Sequence, residues 1–246
     1  MLPSARDGAI SGSCMKLATF LLRVLKLALG LLLLPACVGA SVCFIDTMVP
    51  VLKDTPAFLF GFASYCIIFA IFQQPIRTYV FGHELTHAIW VLLFRGEVTG
   101  FSASASGGKV EATKGNFLIT LAPYFFPIYS LLVIALFYGM ELINRFLPGF
   151  IELERYFHLF VFVLGFSWAF HVVLTVAVML KGQGDLKRTG LLFSLSIVYF
   201  MNIVVLGLLI VFMSRFTGDY TAGEYLLDMR EQIMGAYGYW LERMPR

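Results

Sequence analysis

The sequence predicts an all-α polytopic membrane protein: about six transmembrane helices, a small membrane-associated β-hairpin and a C-terminal amphipathic helix. Composition is the first reason, since 59% of the 246 residues are hydrophobic and only 13% are charged, outside the range of a soluble domain. The mean hydropathy of +0.85 agrees. Pattern is the second reason: apolar runs long enough to cross a bilayer recur between short polar breaks. Charge is the third. The net charge is only +3 and the basic residues are scattered between apolar segments, which excludes a nucleic-acid partner and leaves the lipid bilayer as the surface this chain is made for.

Residues 1–15 are small and polar without periodicity, and read as a disordered start. Residues 16–75 hold the N-terminal spans. Lys16, Arg23 and Lys26 lead into an apolar stretch from Leu27 that reaches across the roughly 30 Å of hydrocarbon at 1.5 Å per residue. The same stretch also has a signal-peptide reading, with its leucine run and small residues Val38-Gly39-Ala40 before Ser41. A polar break precedes a short second span over residues 57–72, which Gln73-Gln74-Pro75 ends, because proline removes a donor and disfavours helix at the residue before it.

A third helix is expected from Ile76 to about Phe94. Residues 95–114 then alternate, turn at Gly107-Gly108 and alternate again, which reads as a β-hairpin; a flexible small-residue loop is the competing reading, because Ser and Ala are weak strand formers. The next span, residues 116–143, is loosened early by Pro123 and Pro127. Spans over residues 156–180 and 190–213 follow, separated by a short Lys181-Gly182-Gln183-Gly184-Asp185 break. Residues 76–214 thus form a core, and the tail from 215 to 246 suits an amphipathic helix lying on the membrane surface. Cys14, Cys37, Cys43 and Cys66 show no CxxC spacing and read as small packing residues.

The third helix carries the pentapeptide His83-Glu84-Leu85-Thr86-His87. Residues four apart share a helix face, so His83 and His87 can present two imidazoles to one metal ion, with Glu84 beside them to polarise a bound water. That arrangement points to zinc-assisted hydrolysis, with one zinc ion per chain. The competing reading makes both histidines hydrogen-bonded core residues, but three ionisable groups within five residues of an apolar run are costly unless they serve a function. Counting from Arg95 at the membrane face, His87 lies roughly 12 Å and His83 roughly 18 Å deep.

A zinc site needs a third protein ligand. His171 lies roughly 15 Å deep on its own helix, level with the motif; Asp185 reaches the metal only if its glycine-flanked segment dips inward. Both stay open at this point. Asn116 and Asn202 are candidates for holding the backbone of an unwound substrate, or for bridging helices.

The segment Phe81-Gly82-His83-Glu84-Leu85-Thr86-His87-Ala88, a glycine-containing hairpin directly after it, a proline-containing next span, and Gln183-x-Asp185-Leu186 before a last span with Asn202 together resemble the site-2 protease family of intramembrane zinc metalloproteases, over residues 76–213. The resemblance implies His83, His87 and Asp185 as zinc ligands, Glu84 as general base, a hairpin beside the substrate, and a membrane-protein substrate cleaved by a multi-pass enzyme of the cell (inner) membrane. The sequence departs from the family in one place: the usual Asp-Gly pair with upstream Asn and Pro is replaced by Gln183-Gly184-Asp185-Leu186, so His171 stands as the alternative ligand or an oxyanion donor. Two rival functions share the composition: a membrane zinc hydrolase with a lipidated substrate, and a non-enzymatic polytopic protein such as a transporter or inactive relative. Basic residues flank the spans on both sides, leaving orientation open.

Overall fold

The computed structural model describes residues 5–72, 74–149, 152–182, 184–214 and 221–243. Nine helices and one hairpin order as α1 (Ala5–Asp54), α2 (Pro56–Ile71), α3 (Ile76–Leu93), β1 (Val98–Ser104), β2 (Gly107–Ala112), α4 (Phe117–Leu121), a single 3₁₀ turn at Ala122–Tyr124, α5 (Ile128–Phe146), α6 (Leu153–Leu180), α7 (Gly184–Thr189), α8 (Leu191–Ser214) and α9 (Ala222–Glu242) among the described residues. Helix α1 begins at Ala5, inside the segment expected to be disordered. Extending an established helix adds one hydrogen bond per residue without a new nucleation cost.

Four helices are long and apolar enough to cross a membrane: α1 over Met15–Asp54, α5, α6 and α8 over Leu191–Met213. They mark the chain as a membrane protein. The count is lower than the six spans expected, and the two missing ones fall short for different reasons. Helix α2 is apolar but has 16 residues, about 24 Å at 1.5 Å per residue, less than the hydrocarbon thickness. Helix α3 has 18 residues but carries Arg77, His83, Glu84 and His87.

The main core lies where α1, α2, α6, α8 and α9 meet, around Met48, Phe58, Leu164, Ile210 and Tyr225. Close approach of α2 to α6 rests on a reciprocal glycine pair. A Cβ on Gly61 would overlap the Phe162 carbonyl, and one on Gly165 would overlap the Phe58 carbonyl. Small residues at such a crossing let two backbones touch where apolar area alone gives no preference for helix over lipid. Helix α1 is tied to α8 by polar contacts as well: Ser196 donates to the Gly30 carbonyl at 3.3 Å, and the Ser41 and Tyr199 hydroxyls share a hydrogen bond of 2.8 Å. Cys37 and Cys43 are buried free thiols in α1, as their packing reading expected.

The tail helix forms where expected, but its apolar side is divided. Tyr225 and Met229, one turn apart, are buried; the Tyr225 hydroxyl donates to the Ile203 carbonyl in α8 at 3.2 Å, and Tyr237 donates to the Leu32 carbonyl in α1 at 2.6 Å. Leu226, Leu227 and Met234 remain exposed. The helix therefore docks along α1 and α8 with one stripe and leaves a second apolar stripe outward. Its start is fixed by a capping box between Thr221 and Glu224.

The hairpin reading over the loop reading is correct. Strands β1 and β2 pair antiparallel with Ser104 opposite Gly107, so the turn residues are Ala105-Ser106, two positions before the Gly107-Gly108 turn expected. The Ser104 hydroxyl donates to the Gly107 carbonyl at 2.8 Å and holds this turn. Gly107 has φ +139°, a conformation side chains disfavour. At the hairpin surface, Lys109 donates to Glu111 at 2.6 Å and holds that carboxyl below its ordinary range.

Candidate metal centre

Helix α3 carries His83 and His87 on one face, as the four-residue spacing dictates. The break after α6 refolds as the short helix α7, with Asp185 in its first turn and Leu186 buried against Tyr124, Phe125 and Val198. Burial of Leu186 turns the segment inward, which is the dip that Asp185 needed. His83, His87 and Asp185 then each offer a ligand atom, all within 4.8 Å of one another, a group that could hold a metal ion. The His87 Nε2 to Asp185 Oδ2 distance is 4.0 Å.

The chemistry around these atoms fits a cation. Metal-ligating histidines give their second ring nitrogen to a carbonyl or carboxylate, which fixes ring orientation and tautomer. His87 does this: its Nδ1 lies 2.8 Å from the Ile119 carbonyl. Ile119 is itself placed by Asn116, whose side-chain oxygen accepts from the Ile119 N–H at 2.8 Å and caps α4. Asp185 is held by the Tyr124 hydroxyl, which donates to Oδ2 at 3.2 Å. Asn202 reaches across from α8 and donates to the Tyr124 carbonyl at 2.9 Å and to the Val198 carbonyl at 2.8 Å. Both asparagines singled out for substrate backbone thus have partners within the protein. Tyr124 and the Ile119 carbonyl had no signal in the sequence beyond the proline-loosened run in which Tyr124 sits.

His171 is buried in α6 at 6% exposure but stands outside the group of three. Its Nε2 has no hydrogen-bond partner among the described residues, and neither has Nδ1 of His83. Gln183, part of the motif around Asp185, lies outside the described residues.

Glu84 follows His83 on α3 and is 8% exposed. It lines a cleft of about 950 Å³ together with His83, His87 and Asp185, with the hairpin residues Ser106 to Val110 forming another wall. Gly108 backs directly onto Glu84, since a Cβ there would overlap the carboxyl group. The glycine at the start of β2 is what lets the hairpin close over the carboxylate.

Fold and site together define a membrane protein with a His-His-Asp group able to hold a metal ion beside a buried glutamate. No protein-family model, curated protein or solved structure matches the chain.

Proposed function

We propose that this protein is an intramembrane zinc metalloprotease of the site-2 protease type, hydrolysing peptide bonds of membrane-embedded or membrane-proximal segments. The observation that carries the reading is the convergence of His83, His87 and Asp185 within 4.8 Å in the cleft that Glu84 also lines. Two imidazoles and a carboxylate, with a fourth position left for water, are the donor set of hydrolytic zinc. Zinc bound there supplies the Lewis acidity that brings the pKa of water toward neutrality and polarises a carbonyl.

Glu84 does the proton work. One carboxylate oxygen takes a proton from the attacking water, whose oxygen bonds to the peptide carbonyl carbon; as the C–N bond breaks, Glu84 passes that proton to the leaving amine nitrogen and ends ionised, as it began. A helical substrate hides its carbonyls in backbone hydrogen bonds and has to be unwound first. The two-stranded sheet has an unpaired edge on each strand, and an extended segment added to one of them lies beside Glu84 because Gly108 touches that residue. In this reading the chain is a multi-pass protein of the cell (inner) membrane, with α2 and α3 as one broken element in the bilayer.

The test is proteolysis of transmembrane reporter peptides by the purified, lipid-reconstituted protein and its Glu84→Gln variant. Wild-type cleavage, with turnover lost by at least ~10²-fold in Glu84→Gln at unchanged zinc content, is the expected result. Retained cleavage in Glu84→Gln contradicts the catalytic assignment. Cleavage of lipidated peptides only moves the substrate class.

A further inference from the structure

The two histidines of the metal group are not treated alike. His87 donates its Nδ1–H to the Ile119 carbonyl, whereas Nδ1 of His83 is buried with no partner among the described residues. A buried N–H in that position is destabilising if nothing accepts from it. The second orphan, Nε2 of His171, is also a buried ring nitrogen. Both residues line one small cavity of about 20 Å³, together with Thr86 and Gly82. By the same measure about 10–15 Å³ holds one water molecule, provided the walls offer two to four polar partners.

Nε2 is the nitrogen of His171 left without a partner among the described residues, and a neutral imidazole accepts through the nitrogen that carries no proton, so with the proton on Nδ1 this Nε2 is an acceptor. Thr86 donates to the Gly82 carbonyl at 2.8 Å and keeps lone pairs free to accept.

We propose that one water molecule occupies this cavity, accepting from His83 Nδ1–H and donating to His171 Nε2 and to Thr86 Oγ1, so that His171 is a positioning residue for the metal ligand His83. The proposal rests on the metal-centre reading above. It gives His83 the anchoring that the Ile119 carbonyl gives His87 and leaves Nε2 of His83 to face the metal. It also joins α6 to the centre, because the contacts run from His83 through the water to His171.

The experiment measures zinc affinity of the full chain in detergent, by competition with a chelating dye, for wild type, His171→Phe and His171→Gln. Loss of this outer contact weakens zinc binding by about 10–100-fold in His171→Phe at unchanged saturating stoichiometry, and His171→Gln, whose amide oxygen can accept from the water, recovers most of the loss. Histidine-selective ¹⁵N spectra of the wild type, with four histidines to assign, are expected to show neutral His171 protonated at Nδ1, a result that does not depend on either variant folding. The proposal is overturned if Gln is no better than Phe, if both bind zinc as wild type does, if saturating stoichiometry falls as for a direct ligand, or if His171 carries its proton on Nε2. Absence of zinc from the wild type itself overturns the metal-centre reading and this inference with it; equal binding by all three proteins overturns the water link alone.

Discussion

At the scale of single residues, the centre depends on side chains that touch a ligand without being one. Tyr124 is fully buried, and its hydroxyl donates to Asp185 Oδ2, the carboxylate oxygen that lies 4.0 Å from His87 Nε2, and so fixes the orientation of that carboxylate. Tyr124→Phe keeps the ring and its edge contact with His83, 5.2 Å between centroids, and removes only that hydrogen bond. A zinc affinity lower by about 10–100-fold is expected, measured by chelator competition, with thermal stability of the metal-free protein unchanged. Equal affinity would show that Asp185 is oriented by α7 alone. The His83, Glu84, His87 part of the site was legible in the sequence because it is local: four-residue spacing puts two rings on one face whatever surrounds the helix. Asp185 came forward by resemblance, since its approach needs Leu186 to be buried, and that is a tertiary fact. Tyr124 and Gly108 act only across elements, so nothing in their own neighbourhood announced them. Gly107-Gly108 was read as a turn; the turn is two positions earlier, and the second glycine is kept for the space that Glu84 needs.

At the scale of elements, the α2–α6 contact and the start of α9 each make a checkable claim. Gly61→Val places a branched side chain against the Phe162 carbonyl, where neither backbone can yield without separating the helices. Overpacking a well-fitted site costs about 1–3 kcal/mol or more, so a clear drop in detergent melting temperature is expected. Gly139→Val, whose Cβ meets nothing within 4 Å, is the control on an open helix face, and equal melting of the two variants would refute the close-packing argument. At the start of α9, the Glu224 carboxylate accepts from the Thr221 N–H at 2.7 Å while the Thr221 hydroxyl accepts from the Glu224 N–H, and the neighbouring Thr221 side chain and backbone lower the carboxyl pKa. A depressed folded-state pKa means that the capping contribution is present above the ordinary carboxylate range and is lost as pH falls through the lowered value. Amide exchange in the first turn of α9 should therefore accelerate, relative to intrinsic rates, as pH falls below the ordinary carboxylate range, and this pH response should vanish in Glu224→Gln. A response that persists in the variant would place the effect elsewhere. Helices α2, α3, α6 and α8 were legible to within a few residues because proline and polar breaks bound them, as Pro75 does at the N-cap of α3, whereas α1 starts at Ala5 inside the segment expected to be disordered, and the span expected from residue 116 splits into α4, a 3₁₀ turn and α5, which starts only after Pro127. The docking of Tyr225 and Met229 onto α1 and α8 was not legible, since a stripe that meets lipid and one that meets helices have the same apolar pattern.

At the scale of the whole molecule, the centre is assembled from parts distant in the chain. Helix α3 supplies two ligands, α7 supplies the third from residue 185, α4 presents the carbonyl that orients His87, and α8 secures Tyr124 through Asn202. The long apolar helices α1, α5, α6 and α8 account for membrane association, while the element bearing the chemistry is the one too polar to count among them. The motif helix falls outside that set because it carries Arg77, His83, Glu84 and His87. A buried cluster of this kind persists only where the cost of burying ionisable groups is offset by their joint work.

The most direct measurement is the zinc content of the purified full-length protein, compared with His87→Ala, Asp185→Ala and His171→Ala at saturating zinc. The expected result is near one zinc per chain in the wild type and in His171→Ala, with loss of that zinc in His87→Ala and Asp185→Ala. No zinc in the intact protein after metal supplementation, or a zinc ion that survives Asp185→Ala and is lost in His171→Ala, would contradict the centre described here.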